Sequence, residues 1–399
     1  MTIYFVAGEV SADNHGAALM HSLQILDPEL KFIGRGGPQM QQVAGAQFTN
    51  WTSDAAVLGL WEVLRKYGYF REQFRQTLKE IRENTPDAVV LIDYPGFNLR
   101  LARALRRQSQ TQKTIYYISP QVWAWNHGRI KKMARFIDLV LCIFPFEADL
   151  YAASGLRAVF VGHPMIERLE TQKIDTHRDQ NLIGLFPGSR LREVRKIFPV
   201  MIEAARRLLE SNPALHFQVA AASEELARVM NEQLADRLAI QIMVGETATI
   251  MQRALVGIVA SGSVTLEAAY FRMPFVLIYK VAWPTYVAAR LVVNVDFLGM
   301  PNLLAGKEVV PEFIQHEARP DAIAKDVRLL MENSPTRDRM ILEFDAIITK
   351  LGGAGASERA AQAILDELRE KRSPDRPSGL PPSQRYCESG ESAARWKTG

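Results

Sequence analysis

The chain alternates short apolar runs with amphipathic stretches, and it does so twice. In the first half, strand candidates fall at 2–7, 30–34, 88–92, 114–118, 139–144 and 158–161, with helical patterns at about 14–26, 70–84, 98–108 and 127–135. After residue 180 the rhythm restarts, with strands at 182–186, 216–221, 240–244, 256–260 and 275–279 and helices at 193–210, 224–236, 264–271 and 284–293. Alternation of this kind predicts a parallel sheet covered by helices on both faces. Two starts predict an α/β chain of two Rossmann-like halves, and 399 residues are enough for two domains with real cores. Open sheets of this class hold ligands at the carboxyl ends of their strands, which puts the expected site in the cleft between the halves. The expected boundaries are 1–166, a polar linker at 167–181, 182–345, a C-terminal helix at 346–370 packing back on the domains, and a disordered Pro-, Ser- and Gly-rich tail at 371–399.

Composition narrows the function classes. A net charge of +4 is too small to demand nucleic acid, although local basic clusters can still meet phosphates or an anionic membrane surface. The two cysteines, Cys142 in an apolar run and Cys387 in the polar tail, form neither a disulfide framework nor a zinc site. No basic stretch precedes the first apolar run, so it reads as a core strand rather than a signal peptide, and no run approaches the roughly 18–20 apolar residues that cross a bilayer. A cytoplasmic protein that meets a membrane only from the side is expected.

Chemistry gathers where strands end. Gly8-Glu9-Val10-Ser11 follows the first strand, where Glu9 can accept a hydrogen bond from a sugar hydroxyl; the plainer reading is a capped helix start. Gly34-Arg35-Gly36-Gly37-Pro38 is a tight turn or a close backbone approach to a ligand. Asp93 ends a buried strand and is stopped by Pro95; it can take a proton from an attacking hydroxyl, or simply bond its own loop amides. Trp123 and Trp125 flank Ala124 ahead of Arg129, Lys131, Lys132 and Arg135, and either shape an acceptor pocket or cover the core.

In the second half Gly188-Ser189-Arg190 makes a strand-to-helix anion site with a guanidinium suited to phosphate. Ser261-Gly262-Ser263 repeats the arrangement, and Glu267, one turn on, can reach a ribose diol or merely favour the helix dipole. Asn302 follows Pro301 in a loop where its amide can contact a ligand. Leu58, Leu60 and Trp61 stand beside Arg65 and Lys66, a mixture that can press into a membrane interface or form a buried amphipathic helix. There is no Asp-x-Asp to hold a divalent ion against a diphosphate, so neither a metal nor another cofactor is expected.

Taken in order, these segments resemble the lipid-A-disaccharide synthase family, inverting glycosyltransferases of the two-Rossmann (GT-B) type, from about residue 3 to about 368. The pieces that carry the resemblance are Ala7-Gly8-Glu9-Val10-Ser11, Ile92-Asp93 through Phe97-Asn98, Ser119-Pro120-Gln121-Val122-Trp123-Ala124-Trp125, Pro145-Phe146-Glu147, Val161-Gly162-His163-Pro164, Pro187-Gly188-Ser189-Arg190, Ser261-Gly262-Ser263 through Glu267, and Pro301-Asn302-Leu303-Leu304-Ala305-Gly306. The resemblance implies transfer of 2,3-diacylglucosamine from its UDP derivative to 2,3-diacylglucosamine 1-phosphate, releasing UDP and forming a β-1,6 disaccharide at the inner membrane of a Gram-negative-type bacterium.

It implies UDP at Gly188, Ser189, Arg190, Ser261, Gly262, Ser263, Glu267 and Asn302, and Asp93 and Glu9 as rivals for the catalytic base. The acceptor and membrane side falls to Ser11, Trp123, Trp125 and the 57–71 segment, and a homodimer is compatible with it. Ala12 and Gly96 depart from the family pattern; Gly96 removes a second Asp and shifts weight to Asp93. A nucleotide-sugar epimerase, another GT-B glycosyltransferase or a non-enzymatic nucleotide-sugar sensor would share the scaffold.

Overall fold

The computed structural model describes residues 1–52, 67–108, 112–120, 128–234, 238–283, 286, 296–332 and 334–370. The expectations for Leu58, Leu60, Trp61, Arg65, Lys66, Trp123, Trp125, the 371–399 tail and nearly all of the helix at 284–293 lie outside the described residues.

The first sheet contains β1 (Thr2–Ala7), β2 (Lys31–Gly36), β3 (Phe48–Asn50), β4 (Ala88–Ile92), β5 (Lys113–Tyr117), β6 (Leu139–Cys142) and β7 (Ala158–Phe160). Its helices are α1 (Val10–Leu26), α2 (Pro38–Ala44), α3 (Tyr67–Asn84), α4 (Pro95–Arg107), α5 (Gly128–Met133), α6 (Pro145–Ala153) and α7 (Met165–Glu170). The second sheet contains β8 (Asp179–Phe186), β9 (His216–Ala221), β10 (Ile240–Val244), β11 (Ala254–Ala260), β12 (Phe275–Tyr279) and β13 (Glu312–Ile314). Around it lie α8 (Leu191–Ser211), α9 (Glu224–Leu234), α10 (Thr247–Arg253), α11 (Val264–Tyr270), α12 (Met300–Ala305), α13 (Pro320–Met331) and α14 (Pro335–Lys350), and α15 (Ala356–Arg369) ends the described chain.

Both sheets are parallel, in the orders β3-β2-β1-β4-β5-β6-β7 and β10-β9-β8-β11-β12-β13. The order in which strands are added therefore reverses at one place in each sheet, between β1 and β4 in the first and between β8 and β11 in the second, while every strand keeps the same direction. Those reversals open the crevices in which doubly wound sheets hold ligands. The period of two along a strand explains the layering: Ile3, Phe5 and Ala7 of β1 join one core, while Tyr4 and Val6 join the other. Each fully buried large apolar side chain contributes roughly 1.5–3 kcal/mol.

The sequence missed the three-residue edge strands β3 and β13, which are too short to show a period. The polar stretch 167–181 is not all linker, since 167–170 finishes α7 and 179–181 opens β8. The single helix expected at 346–370 is broken, because Gly352 (φ +78°) and Gly355 (φ +89°) turn the chain between α14 and α15. After that turn α15 packs against α1, and Lys113 Nζ donates to Glu367 Oε1 at 2.6 Å. The two chain crossings between the sheets lie side by side. His163 N donates to Leu351 O at 2.9 Å. The Arg359 guanidinium binds Val161 O, Gly353 O and Ala354 O at 2.8–3.0 Å.

Candidate functional site

At the first reversal Glu9 follows β1 and Asp93 follows β4, strands paired in register through Ala7 and Ile92. Asp93 sits on an unusual turn. It has φ +46° and Tyr94 has φ +50°, two consecutive left-handed non-glycine residues. Such a residue costs about 1–3 kcal/mol and persists only where its surroundings over-determine it. They do so here. Asp93 N donates to Tyr117 O at 3.0 Å. The Asp93 carbonyl accepts from the buried Tyr116 hydroxyl and from Asn98 Nδ2 at 2.8 Å, and the same amide nitrogen reaches Ile92 O. The backbone is locked while the carboxylate remains partly exposed. Burial raises its pKa to about 6, the nearby negative charge of Glu9 adds to the rise, and the Tyr94 backbone hydrogen bond opposes it.

Glu9 is exposed at the N-cap of α1, and Ser11 is exposed on that helix's first turn. Gly8 is required by a close approach: a Cβ there would lie 2.4 Å from the Tyr94 ring. Trp51 packs edge-on against that ring, while its own Nε1 donates to Ala7 O at 2.7 Å. Ser119 is buried against Tyr151.

The turn at 34–38 is structural. A Cβ on Gly34 would meet Phe5 O at 2.1 Å, and Arg35 is 3% exposed, bonded to Glu80, Gln73 and Gln76 of α3. Tyr4 Oη donates to the same Glu80 at 2.6 Å, so this network pins α3 to the sheet. Asp13, 2% exposed, accepts the amides of Gly37, Gln39 and Met40 and caps α2. Neither anchor was legible as such in sequence.

At the second reversal the loops after β8 and β11 face one cavity of about 420 Å³. Gly188, Ser189 and Arg190 line one side of it, and Ser261, Gly262, Ser263 and Glu267 another. Gly188 has φ +107°, and a Cβ there would strike Glu193 Oε2 at 2.6 Å. Arg190 is the N-cap of the long helix α8, largely exposed, with Nη1 3.2 Å from Glu193 Oε1. The cavity thus pairs a helix N-terminus with a guanidinium, the arrangement that binds phosphate oxygens. Neither Asp93 nor Glu9 lines it.

Asn302 stands apart from the other residues expected at the nucleotide. It is fully buried and does not line the cavity. Its Oδ1 accepts from Val309 N and Val310 N, and its Nδ2 donates to Val310 O and Glu312 Oε1, all at 2.7–2.8 Å. An amide with every site used has nothing left for a ligand, so Asn302 holds the 309–312 loop. Sequence also missed Arg168, which enters the cavity from α7 and pairs with Glu267 across 99 positions at 2.8 Å. Among the described residues no group of three or more His, Cys, Asp or Glu gathers as a metal site.

Comparison with solved structures bears on the fold alone. UDP-GlcNAc 2-epimerase from Neisseria meningitidis, bound to UDP-GlcNAc, superposes with a TM-score of 0.62 at 14% identity, covering 92% of this chain and 100% of that one. The glycosyltransferase of kitacinnamycin superposes at 0.58 and 14% identity, covering 92% and 99%. Both support a two-domain α/β architecture of the GT-B kind. Sequence relatives are much nearer. Lipid-A-disaccharide synthase of Geobacter sulfurreducens is 38% identical over 380 residues, 92% of this chain and 97% of the relative. The same enzyme of Trichlorobacter lovleyi is 37% identical over 383 residues, 92% of this chain and 98% of the relative. The family profile described as lipid-A-disaccharide synthetase matches residues 3–365. The chain therefore belongs to the lipid-A-disaccharide synthase family, and it is a glycosyltransferase.

Proposed function

We propose that the protein moves 2,3-diacylglucosamine from UDP-2,3-diacylglucosamine to the 6-hydroxyl of 2,3-diacylglucosamine 1-phosphate, with inversion, across the cleft between its two sheets. One observation carries this reading: the two topological reversals bear complementary chemistry, paired carboxylates after β1 and β4 and a guanidinium-lined cavity after β8 and β11. The acceptor hydroxyl gives its proton to Asp93 as its oxygen bonds to the anomeric carbon. The bond from that carbon to the diphosphate oxygen breaks, and UDP leaves with the electron pair. Inversion of an α-linked donor yields the β-1,6 disaccharide. Glu9 orients the acceptor.

Leaving-group charge falls on Arg190 and the N-terminal amides of α8, which need no metal to act. A carboxyl with pKa about 6 is matched to base work near neutral pH, where it is mostly ionised yet still basic.

The acylated substrates place the reaction at the cytoplasmic surface of an inner membrane. The segment containing Leu58, Leu60, Trp61, Arg65 and Lys66 leads into α3, which carries exposed Arg71, Arg75, Lys79 and Arg82 and packs against α4, which carries exposed Arg100, Arg103 and Arg107. That basic face suits anionic lipid. Among the described residues no helix is long and apolar enough to cross a membrane.

The test is mass-spectrometric assay with the two substrates, with and without EDTA. UDP and a disaccharide 1-phosphate should appear in both. No product refutes the substrate assignment, and EDTA loss restored by a divalent ion refutes the metal-free mechanism.

A further inference from the structure

The cavity holds two cations and two carboxylates among its described lining residues, and each cation is already paired. Arg190 meets Glu193 at 3.2 Å and Arg168 meets Glu267 at 2.8 Å. The second pair is unusual in its origin. Glu267 belongs to α11 of the second sheet's half, whereas Arg168 stands on α7, the helix that follows the chain crossing out of the first sheet. We infer that Arg168 is an exchangeable nucleotide ligand: the ribose diol of a uridine nucleotide takes Glu267 from it, and the freed guanidinium moves to the diphosphate. This deepens the UDP-site reading above and rests on it.

The burial asymmetry of the pair says which partner moves. The Glu267 side chain is 15% exposed and fixed on a packed helix, whereas the Arg168 side chain is 48% exposed on a long flexible stem. A mostly buried carboxylate stripped of its cation needs replacement donors. Two ribose hydroxyls supply them. Arg168 in turn exchanges a carboxylate for a diphosphate, which a guanidinium binds in the same forked geometry.

Arg168 is the cation that Glu267 meets at this junction, while Lys173 is paired with Glu170. His15 and His163 lie near Arg168, and burial together with the Arg168 charge lowers their pKa values to about 4 and about 3, Glu167 opposing the shift at His15. Both rings are neutral near pH 7. The exchange need not break the α7–α11 contact, because Tyr270 Oη also donates to Glu170, which pairs with Lys173 at 2.8 Å.

An arginine that moves to the diphosphate has a different signature from one that only orients Glu267. Calorimetry would compare uridine and UDP binding to the parent, Arg168→Gln and Arg168→Lys, each checked for a parental melting temperature. Exchange predicts that Arg168→Gln weakens UDP about tenfold, one charge-assisted contact less the pair it replaced, while uridine is unchanged or bound more tightly. Arg168→Lys should recover part of the UDP loss. Equal weakening of both ligands, or UDP affinity untouched, would overturn the exchange. A parent that binds neither ligand would instead refute the nucleotide site, and the exchange with it.

Discussion

The two walls of the cleft are built in opposite ways. On the first, Asp93 stands on a backbone fixed by Tyr116, Asn98 and Tyr117, in a strained conformation that nothing exposed is needed to hold. On the second, Arg190 and Arg168 reach into the cavity from exposed positions, and among the described residues their ion-pair partners are carboxylates they can leave. On the proposed function, the difference follows from the work each wall does. Proton transfer needs the acceptor group aimed within a fraction of an ångström, so rigidity is worth its strain. Nucleotide binding must be reversible every turnover, and charges that serve it in the proposed mechanism are parked on carboxylates they can leave.

Changes on the rigid wall should therefore act mainly on rate, and changes on the open wall mainly on affinity. The largest effect belongs to Asp93→Asn, which keeps the size and most hydrogen bonds but cannot accept a proton. Turnover should fall by about 100- to 10,000-fold with UDP affinity unchanged in calorimetry. The same variant should be more stable, not merely equal. A carboxyl whose pKa rises from 3.8 to about 6 on folding binds protons more tightly folded than unfolded. Its stabilising contribution is complete below about pH 4 and is lost as pH climbs through 6, so near pH 8 the ionised group is a liability. Removing it should raise stability there by roughly 1–3 kcal/mol and do little at pH 4. An unchanged or lowered melting temperature at pH 8 would show that the site does not disfavour the charge.

Tyr116→Phe leaves the carboxylate in place but removes one of the two side-chain bonds to its carbonyl. Turnover should fall roughly ten- to hundredfold with KM for both substrates near parental. A rise in KM alone would move Tyr116 from positioning to binding. Arg190→Ala should weaken UDP by about 1.5–3 kcal/mol and, because the guanidinium carries leaving-group charge, also lower turnover at saturation, though less than Asp93→Asn does. Equal UDP affinity would remove Arg190 from the nucleotide site. The smallest effect on chemistry is expected from the proposed membrane-contacting segment. Leu58, Leu60 and Trp61 to Ser, with Arg65 and Lys66 to Glu, should release the protein from anionic vesicles in flotation while it stays folded. Retained vesicle binding would place the contact elsewhere.

The contrast also explains what the sequence could show. Strands β1, β4, β9, β10 and β12 are apolar runs bounded by turn residues, and their limits could be read directly. The carboxyl ends of β1, β4, β8 and β11 then located Glu9, Asp93, Gly188 and Ser261, because position in a doubly wound sheet is a local property. Residue roles that depend on distant partners were not legible. Arg35 looks like part of a turn until Glu80 folds over it, and Asn302 looks free until the 309–312 loop saturates it. Arg168 becomes visible only when Glu267 arrives from the other half. Fold likeness could not choose the reaction either, since the epimerase superposes slightly better than the kitacinnamycin glycosyltransferase and only the sequence relatives decide.

The most direct measurement is the pH dependence of kcat, between pH 4.5 and 8.5 with both substrates saturating. With Asp93 as the base, the parent should lose turnover with a single-proton limb near pH 6, because burial and Glu9 hold its carboxyl there. Glu9→Gln removes the neighbouring charge and should move that limb to lower pH without abolishing turnover, since two coupled carboxyls titrate as a pair. A parent profile flat down to pH 4.5, or a Glu9→Gln variant without turnover beside an active Asp93→Asn, would contradict the account and exchange the roles of the two residues.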